Sequence, residues 1–253
     1  MCGIASVLLH PQQRSDQDWT DLRETFTRNL LANEVRGQAA TGVAVVQRDG
    51  RAVVYKLPYE ASTFIQTIGY RNLWDLVTEQ TVLVLGHTRL PTVGSPDDSH
   101  NNHPIEAGEV IGVHNGHIDN ADELFQRWQL PRQAEVDSEV IFRRIASFSP
   151  LTLNGQYLSA LAASLNELEG HFTFLAVDVR RPTHLLAFKH HNPLSLHYHA
   201  PWQALFFSSE YLFLRLAFGH SVSAEVLPRD RLLCFDALHL PDWHTQPRAA
   251  LKF

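Results

Sequence analysis

The chain opens Met1-Cys2-Gly3-Ile4, and Cys2 is the residue type best suited to covalent catalysis. If Met1 is removed, Cys2 carries both a thiol and a free α-amine. Unperturbed, these groups titrate near about 8.5 and about 7.7–8.0. The amine is then a base poised close to neutral pH, within reach of the thiol's own proton. Nucleophile and base share one residue, as they do for an N-terminal Thr with its amine. The plainer reading makes Cys2 a small, buried apolar residue, and four residues alone favour it. Further residues with chemical uses lie along the chain: Arg36, then His87, Arg89 and Thr92, then His103, then His114-Asn115-Gly116, then Asp137. Each has an ordinary structural reading as well. Asn-Gly between two apolar runs is a strong hairpin signal. An Arg at a strand end is commonly solvated. Asp137, just ahead of Val140, Ile141, Phe142 and Ile145, suits a helix N-cap.

The elements that must position these residues follow from patterning. The apolar run 4–9, ended by His10-Pro11, reads as a buried strand with Cys2 at its tip. Ser15-Asp16 caps a helix with Trp19, Leu22, Phe26 and Leu30 on one face. Strands 43–47 and 52–56 flank the Asp49-Gly50 turn, 61–68 reads as a short helix, and 82–88 as a strand. From 89 to 104 come Pro91, Pro96, Asp97, Asp98, Asn101 and Asn102 with no periodicity, a long loop of the kind that is usually functional. Strand 110–114, helix 121–128 and an amphipathic helix 157–168 follow. The second half reads as strands 171–178, 184–188, 193–199, 204–207, 222–227 and 231–235, with a helix at 210–216. Helices between groups of hairpin-like strands point to an α+β protein of antiparallel sheets with helices on their outer faces. Residues 1–253 read as a single domain whose tail, 236–253, has no assignable structure.

Composition excludes several function classes. Lys+Arg 21 against Asp+Glu 27 gives a net charge of -6, with no basic stripe for nucleic acid. Two cysteines, Cys2 and Cys234, make no disulfide framework and suit a reducing cytoplasm. Arg14, Asp16 and Asp18 interrupt any signal-peptide core, and no apolar run reaches membrane-spanning length. Cys234, in an apolar strand, reads as inert core. His190, His191, His197 and His199 are the densest histidine group, but their alternation with Leu194 and Leu196 fits imidazoles on the solvent face of a strand. Neither a metal nor a cofactor is expected.

Taken in order, the motifs resemble the class II glutamine amidotransferases, a branch of the N-terminal nucleophile hydrolases, and most of all the glutaminase domain of glucosamine-6-phosphate synthase. The likeness runs through Cys2-Gly3-Ile4, Arg36-Gly37 with Gly42, Gly86-His87-Thr88-Arg89 with Thr92 and Gly94, Asn102-His103-Pro104, His114-Asn115-Gly116, and Asp137-Ser138-Glu139. It continues more weakly through Glu169-Gly170 and Ser208-Ser209-Glu210. The resemblance implies a four-layer αββα sandwich and hydrolysis of the glutamine side-chain amide to glutamate and ammonia. It implies Cys2 as nucleophile, Asn115 and Gly116 as oxyanion hole, Arg89 and Thr92 on the substrate carboxylate, and Asp137 on its ammonium. Arg36, His87, His103 and His114 become supporting residues. The loop departs from the family: Arg89-Leu90-Pro91-Thr92-Val93-Gly94 lacks the usual Trp and His, and 36–42 lacks the usual Asp and Ser. No ammonia-accepting domain is recognisable, so a separate synthase subunit is one expectation. Hydrolysis of another γ-glutamyl amide is the alternative, and a non-catalytic binding module keeping the fold is the third.

Overall fold

The computed structural model describes residues 1–148 and 156–252. In chain order the strands are β1 (Gly3–Leu9), β2 (Ala40–Gln47), β3 (Ala52–Leu57), β4 (Thr81–Arg89), β5 (Ile105–Ala107), β6 (Val110–Ile118), β7 (Gly170–Asp178), β8 (His184–Lys189), β9 (Ser195–His199), β10 (Ala204–Ser208), β11 (Glu225–Val226), β12 (Arg231–Asp236) and β13 (Ala249–Lys252). The helices are α1 (Asp16–Asn33), α2 (Ala61–Phe64), α3 (Ile68–Trp74), α4 (Ala121–Arg127), α5 (Glu139–Ser147), α6 (Tyr157–Leu165), α7 (Tyr211–Phe218) and α8 (Leu240–Trp243). The strands form two sheets, ordered β11-β9-β10-β1-β4-β2-β3 and β13-β12-β8-β7-β6-β5. Pairing is antiparallel along β1 with both its neighbours and through β6, β7, β8 and β12.

Why the strands read as unbroken apolar runs is plain from the packing. The sheets lie face to face: Ile4, Leu8, Leu83 and Leu85 of the first meet Val113, Leu175, Val177 and Phe235 of the second. On the far side of the first sheet, Leu22, Phe26 and Leu30 of α1 and Leu214 of α7 cover Val7, Val43 and Phe206. On the far side of the second, Leu124, Ile141, Phe142 and Leu161 cover Phe174, Phe188 and Cys234. Both faces of each sheet are therefore buried, and successive residues of β7 alternate between two cores. Each such aliphatic or aromatic side chain contributes about 1.5–3 kcal/mol on burial. The result is the αββα sandwich that the resemblance implies. Helix α1 begins where its capping box requires, with Ser15 Oγ accepting from Asp18 N at 3.1 Å and Asp18 Oδ2 from Ser15 N at 3.3 Å.

Several expectations are corrected. Asn115-Gly116 is not a hairpin turn. Strand β6 continues to Ile118, with Asn115 opposite Thr173 and Gly116 opposite Phe172, because β7 supplies a partner all the way. The strand ends before Asp119, whose N–H donates to Glu169 O at 2.8 Å, and the chain turns into α4. The region 61–68 divides into α2 and α3, with Thr67 Oγ1 capping α3 by accepting from Tyr70 N. The strand at 222–227 shrinks to β11, at the edge of its sheet. The tail does have structure: a 3-10 turn at Ala237–His239, α8, and β13 pairing with β12. Buried Asp236 ties it down, accepting from Leu238 N at 3.1 Å and Arg248 Nη1 at 2.9 Å. Phe253 lies outside the described residues.

Candidate active site

Cys2 stands at the head of β1, half-buried, over a cavity of about 240 Å³ between the ends of the two sheets. Its Sγ lies against the backbone of Leu90, 3.3 Å from N and 3.4 Å from O. Its carbonyl accepts from Arg36 Nε at 2.8 Å, and Arg36 in turn pairs with Glu210 Oε1 at 2.7 Å. Gly3 lets this strand end approach so closely, because a Cβ there would meet Thr88 Oγ1 at 2.6 Å and Asn33 Cβ at 2.7 Å. Burial pushes the Cys2 thiol above its ordinary value, and the Leu90 N–H, the amino terminus, Arg89 and Arg36 oppose that shift. A thiol held protonated in this way needs a base before it can attack.

Gly116 forms the opposite wall at φ 127°, a backbone conformation only glycine adopts readily. Asn115 lies beneath it, fully buried, with Nδ2 donating to Ser209 Oγ at 3.0 Å. Asn192 Nδ2 props this stretch from outside, donating to Asn115 O at 3.0 Å and His171 O at 3.1 Å.

Asp137 reaches the cavity, but not as the side-chain cap of α5. Ser138 holds the N-cap position, while Asp137 Oδ2 accepts from Ile118 N at 2.6 Å and Oδ1 from Ser138 N at 2.9 Å. The carboxylate thus joins the start of α5 to the end of β6. Arg89 is buried in the cavity wall rather than solvated at a strand end. Its Nη1 donates to Asn102 Oδ1 at 2.8 Å, and its Nη2 to the carbonyls of Val93 at 2.6 Å and Gly94 at 2.9 Å. The guanidinium thus latches the 90–104 loop. Thr92 lines the same wall.

His87, His103 and His114 gather under the cavity floor, with ring centroids 4.3 Å apart for the first pair and 6.4 Å for the second. His87 Nε2 donates to His114 O at 3.0 Å, and His114 Nδ1 contacts Ser138 Oγ at 2.7 Å. Burial pushes His87 down to about 3, and holds His103 well below its ordinary value and His114 below it. All three are neutral in the native protein near pH 7.

The candidates drawn from the sequence therefore converge on one end of the sandwich. Others complete the site without having been assigned a role. His117 stands between Asp119 Oδ1 and Asp137 Oδ2, 3.4 Å from each, and lines the cavity with His171 and Asn192. Ser209 and Glu210 appear only in the weaker part of the likeness. The signal for His117 was its place on an extended β6, hidden by reading Asn115-Gly116 as a turn. His191 lies beside His171, with ring centroids 4.0 Å apart and the rings tilted by 55°, whereas His197 and His199 pack on Phe218. Among the described residues no three His, Cys, Asp or Glu side chains are grouped to hold a metal, and no helix is long and apolar enough to cross a membrane.

The chain is similar to known proteins over most of its length. Residues 87–215, about half of the chain, match the family model described as glutamine amidotransferase domain. Glutamine–fructose-6-phosphate aminotransferase (isomerizing) of Aquifex aeolicus is 30% identical over 165 residues, covering 64% of this chain and 26% of that protein. 7-Cyano-7-deazaguanine synthase 2 of Sulfurisphaera tokodaii is 24% identical over 212 residues, covering 83% of this chain and 43% of that protein. The chain thus spans less than half the length of either relative. Among solved structures, the glutamine phosphoribosylpyrophosphate amidotransferase of B. subtilis superposes with a TM-score of 0.69 at 19% identity, over 93% of this chain and 47% of that one, a likeness of fold. Cys2 and Arg36 precede the matched segment, whereas His87, Arg89, Thr92, His103, Asn115, Gly116 and Asp137 fall inside it. On the match to that domain, joined to the sandwich fold, the chain belongs to the class II glutamine amidotransferase family.

Proposed function

We propose that the protein hydrolyses the side-chain amide of glutamine to glutamate and ammonia through a thioester on Cys2. The observation that carries this reading is that Cys2, Arg89, Gly116 and Asp137, scattered over the sequence, line one cavity. Removal of Met1 frees the α-amine, which takes the Sγ proton. The thiolate attacks the amide carbon and forms the C–S bond. The oxyanion is met by Gly116 N–H and the Asn115 carboxamide, donors of the kind that stabilise such charge most. The α-ammonium then protonates the leaving nitrogen, the C–N bond breaks, and ammonia departs. Water attacks the thioester next, restoring the thiol and releasing glutamate. Arg36 orients the Cys2 carbonyl throughout. Arg89 and Thr92 take the substrate carboxylate, and Asp137 its ammonium.

The ammonia goes to an acceptor domain or subunit. The relatives are named as an aminotransferase and a synthase and are more than twice as long as the matched region, which supports an acceptor beyond this chain. Intact mass before and after a glutamine-like diazo-ketone, with Cys2→Ala as control, tests the reading. The expected protein is lighter by one methionine and gains one adduct that the variant does not. A protein that keeps Met1 and takes no adduct overturns it.

A further inference from the structure

The structure assigns Ser209 as the positioning residue that sets the Asn115 carboxamide against the nucleophile, an inference resting on the glutamine-hydrolysis reading above. The nucleophile and its oxyanion donor belong to different sheets: Cys2 heads β1 of the first, and Asn115 lies on β6 of the second. Their relative placement is not dictated by either ladder. Ser209, directly after β10 and fully buried, touches both. Its Oγ accepts from Ile4 N at 2.8 Å, two residues from Cys2, and from Asn115 Nδ2 at 3.0 Å. Its own N–H donates to Ile4 O at 3.0 Å, so Ser209 is locked to β1 through the backbone in both directions.

Chemistry explains why a hydroxyl suits this position. An Asn carboxamide has two N–H donors. With one tied to Ser209, the plane of the amide is fixed and the second N–H has a defined direction. Without the hydroxyl Nδ2 loses this partner, and the contact of the Asn115 side chain with His87 is left alone to resist rotation about the last torsion, which is soft. A donor that must reorient during the reaction loses the advantage of preorganisation. The substrate's amino-acid head, by contrast, is gripped from Arg89, Thr92 and Asp137, none of which contacts Ser209. Ser209 therefore acts on the chemical step and not on substrate affinity.

The test is steady-state glutamine hydrolysis by wild type, Ser209→Ala, Ser209→Thr, Asn115→Ala and the Ser209→Ala/Asn115→Ala double variant. Losing a direct oxyanion donor costs about 10²–10³ in kcat, so misorienting it should cost about 10–100-fold. KM should stay within about twofold of wild type, as expected for an interaction made in the transition state. Ser209→Thr, which keeps the hydroxyl, should restore most of the rate. In the Asn115→Ala background, loss of Ser209 should cost less than about one third of its cost in wild type, because the carboxamide is gone and only the bond to Ile4 N is left to lose. If Ser209→Ala does not fold, Ser209→Cys, with a weaker acceptor in a similar volume, carries the same comparison. A kcat equal to wild type, a loss confined to KM, or full multiplication of the two single effects would overturn the assignment. Wild type that fails to hydrolyse glutamine would instead retire the underlying reading, so the two failures are distinguishable.

Discussion

Gly116→Ala is the sharpest probe of the cavity wall. An added Cβ would lie 1.8 Å from His171 O and 2.7 Å from Asn192 Nδ2, and the backbone sits at φ 127°. Two costs arise. A side chain at such a φ costs about 1–3 kcal/mol. Forcing a methyl into occupied space costs about 1–3 kcal/mol more, and here the obstacle is a backbone carbonyl that cannot rotate away. Taken together, about 4 kcal/mol is expected, or about 8–16 °C in melting temperature for a chain of this size. Gly219, beyond α7, is the control: it also has positive φ, at 73°, but nothing lies within 4 Å of an added Cβ. Gly219→Ala should cost only about 1–2 kcal/mol and leave glutamine hydrolysis unchanged. The excess cost of Gly116→Ala over Gly219→Ala carries the clash together with the greater strain of the more extended positive φ. Relief of the clash must move β6 away from β7 at Gly116, the proposed oxyanion donor, so kcat for Gly116→Ala should fall about 100-fold. Differential scanning calorimetry and ammonia release are the assays. If Gly116→Ala melts within about 2 °C of Gly219→Ala, or turns over like wild type, then the wall yields freely and the argument from a rigid β6–β7 pair is wrong.

Arg36→Lys keeps the charge but loses the planar donor that reaches the Cys2 carbonyl at 2.8 Å; diazo-ketone labelling of Cys2 should slow about tenfold, and unchanged labelling would show that Arg36 does not orient the nucleophile. Thr92→Val removes a hydroxyl from the cavity wall; a hydrogen bond to a charged carboxylate contributes about 1.5–3 kcal/mol, so KM should rise about tenfold or more with kcat preserved, and an unchanged KM removes Thr92 from the carboxylate site. Stability should fall in acid because of the buried imidazoles. His87 is held at about 3 by burial, so between pH 6.5 and 3 the unfolded chain binds a proton that the native state does not, and stability rises with pH across that window and levels above it. At pH 5 His87 alone should cost about 2 kcal/mol, and His103 and His114 shift the same way. Urea unfolding from pH 5 to 7.5 checks this, and a flat profile would mean that these imidazoles take up protons in place.

Much of the framework was legible because local rules agreed with the global packing. The Ser15 capping box starts α1 where the sequence places it, and the runs at 4–9, 82–88 and 204–207 are strands because each is buried on both faces. What failed was local chemistry overruled by a distant partner. Asn115-Gly116 carries the composition of a hairpin turn, yet β7 offers a backbone partner through Gly170 and the strand runs on. Asp137 has the composition of a helix cap, yet the N–H of Ile118 claims its carboxylate at 2.6 Å. The tail at 236–253 has weak periodicity because β13 is an edge strand with alternate residues half-buried and exposed. Such a strand is specified by the neighbour it joins, β12, more than by its own pattern.

The roles within the site were less legible than its members, and the reason is the division of labour between sheets. A motif in sequence records neighbours along one strand, whereas this cavity is closed by bonds across strands. His87 on β4 meets the carbonyl of His114 on β6, and Ser209 joins the backbone of β1 to Asn115. Arg89 shows the same limit from the other side. Its position was marked by the Gly86-His87-Thr88-Arg89 run, but the three loop acceptors that hold its guanidinium, Val93 O, Gly94 O and Asn102 Oδ1, depend on how the 90–104 loop folds back. If Arg89 takes the substrate carboxylate as proposed, that carboxylate competes with these bonds or displaces them. On the proposed reading, binding of the amino-acid head and release of these loop bonds form one equilibrium, in which the energy of the new charge-assisted pair is offset by the bonds released. On that reading, the loop 90–94, where the usual Trp and His are missing, is the part of the chain that yields, and the Cys2, Arg36, Asn115 and Gly116 framework stays fixed on strands and their immediate supports.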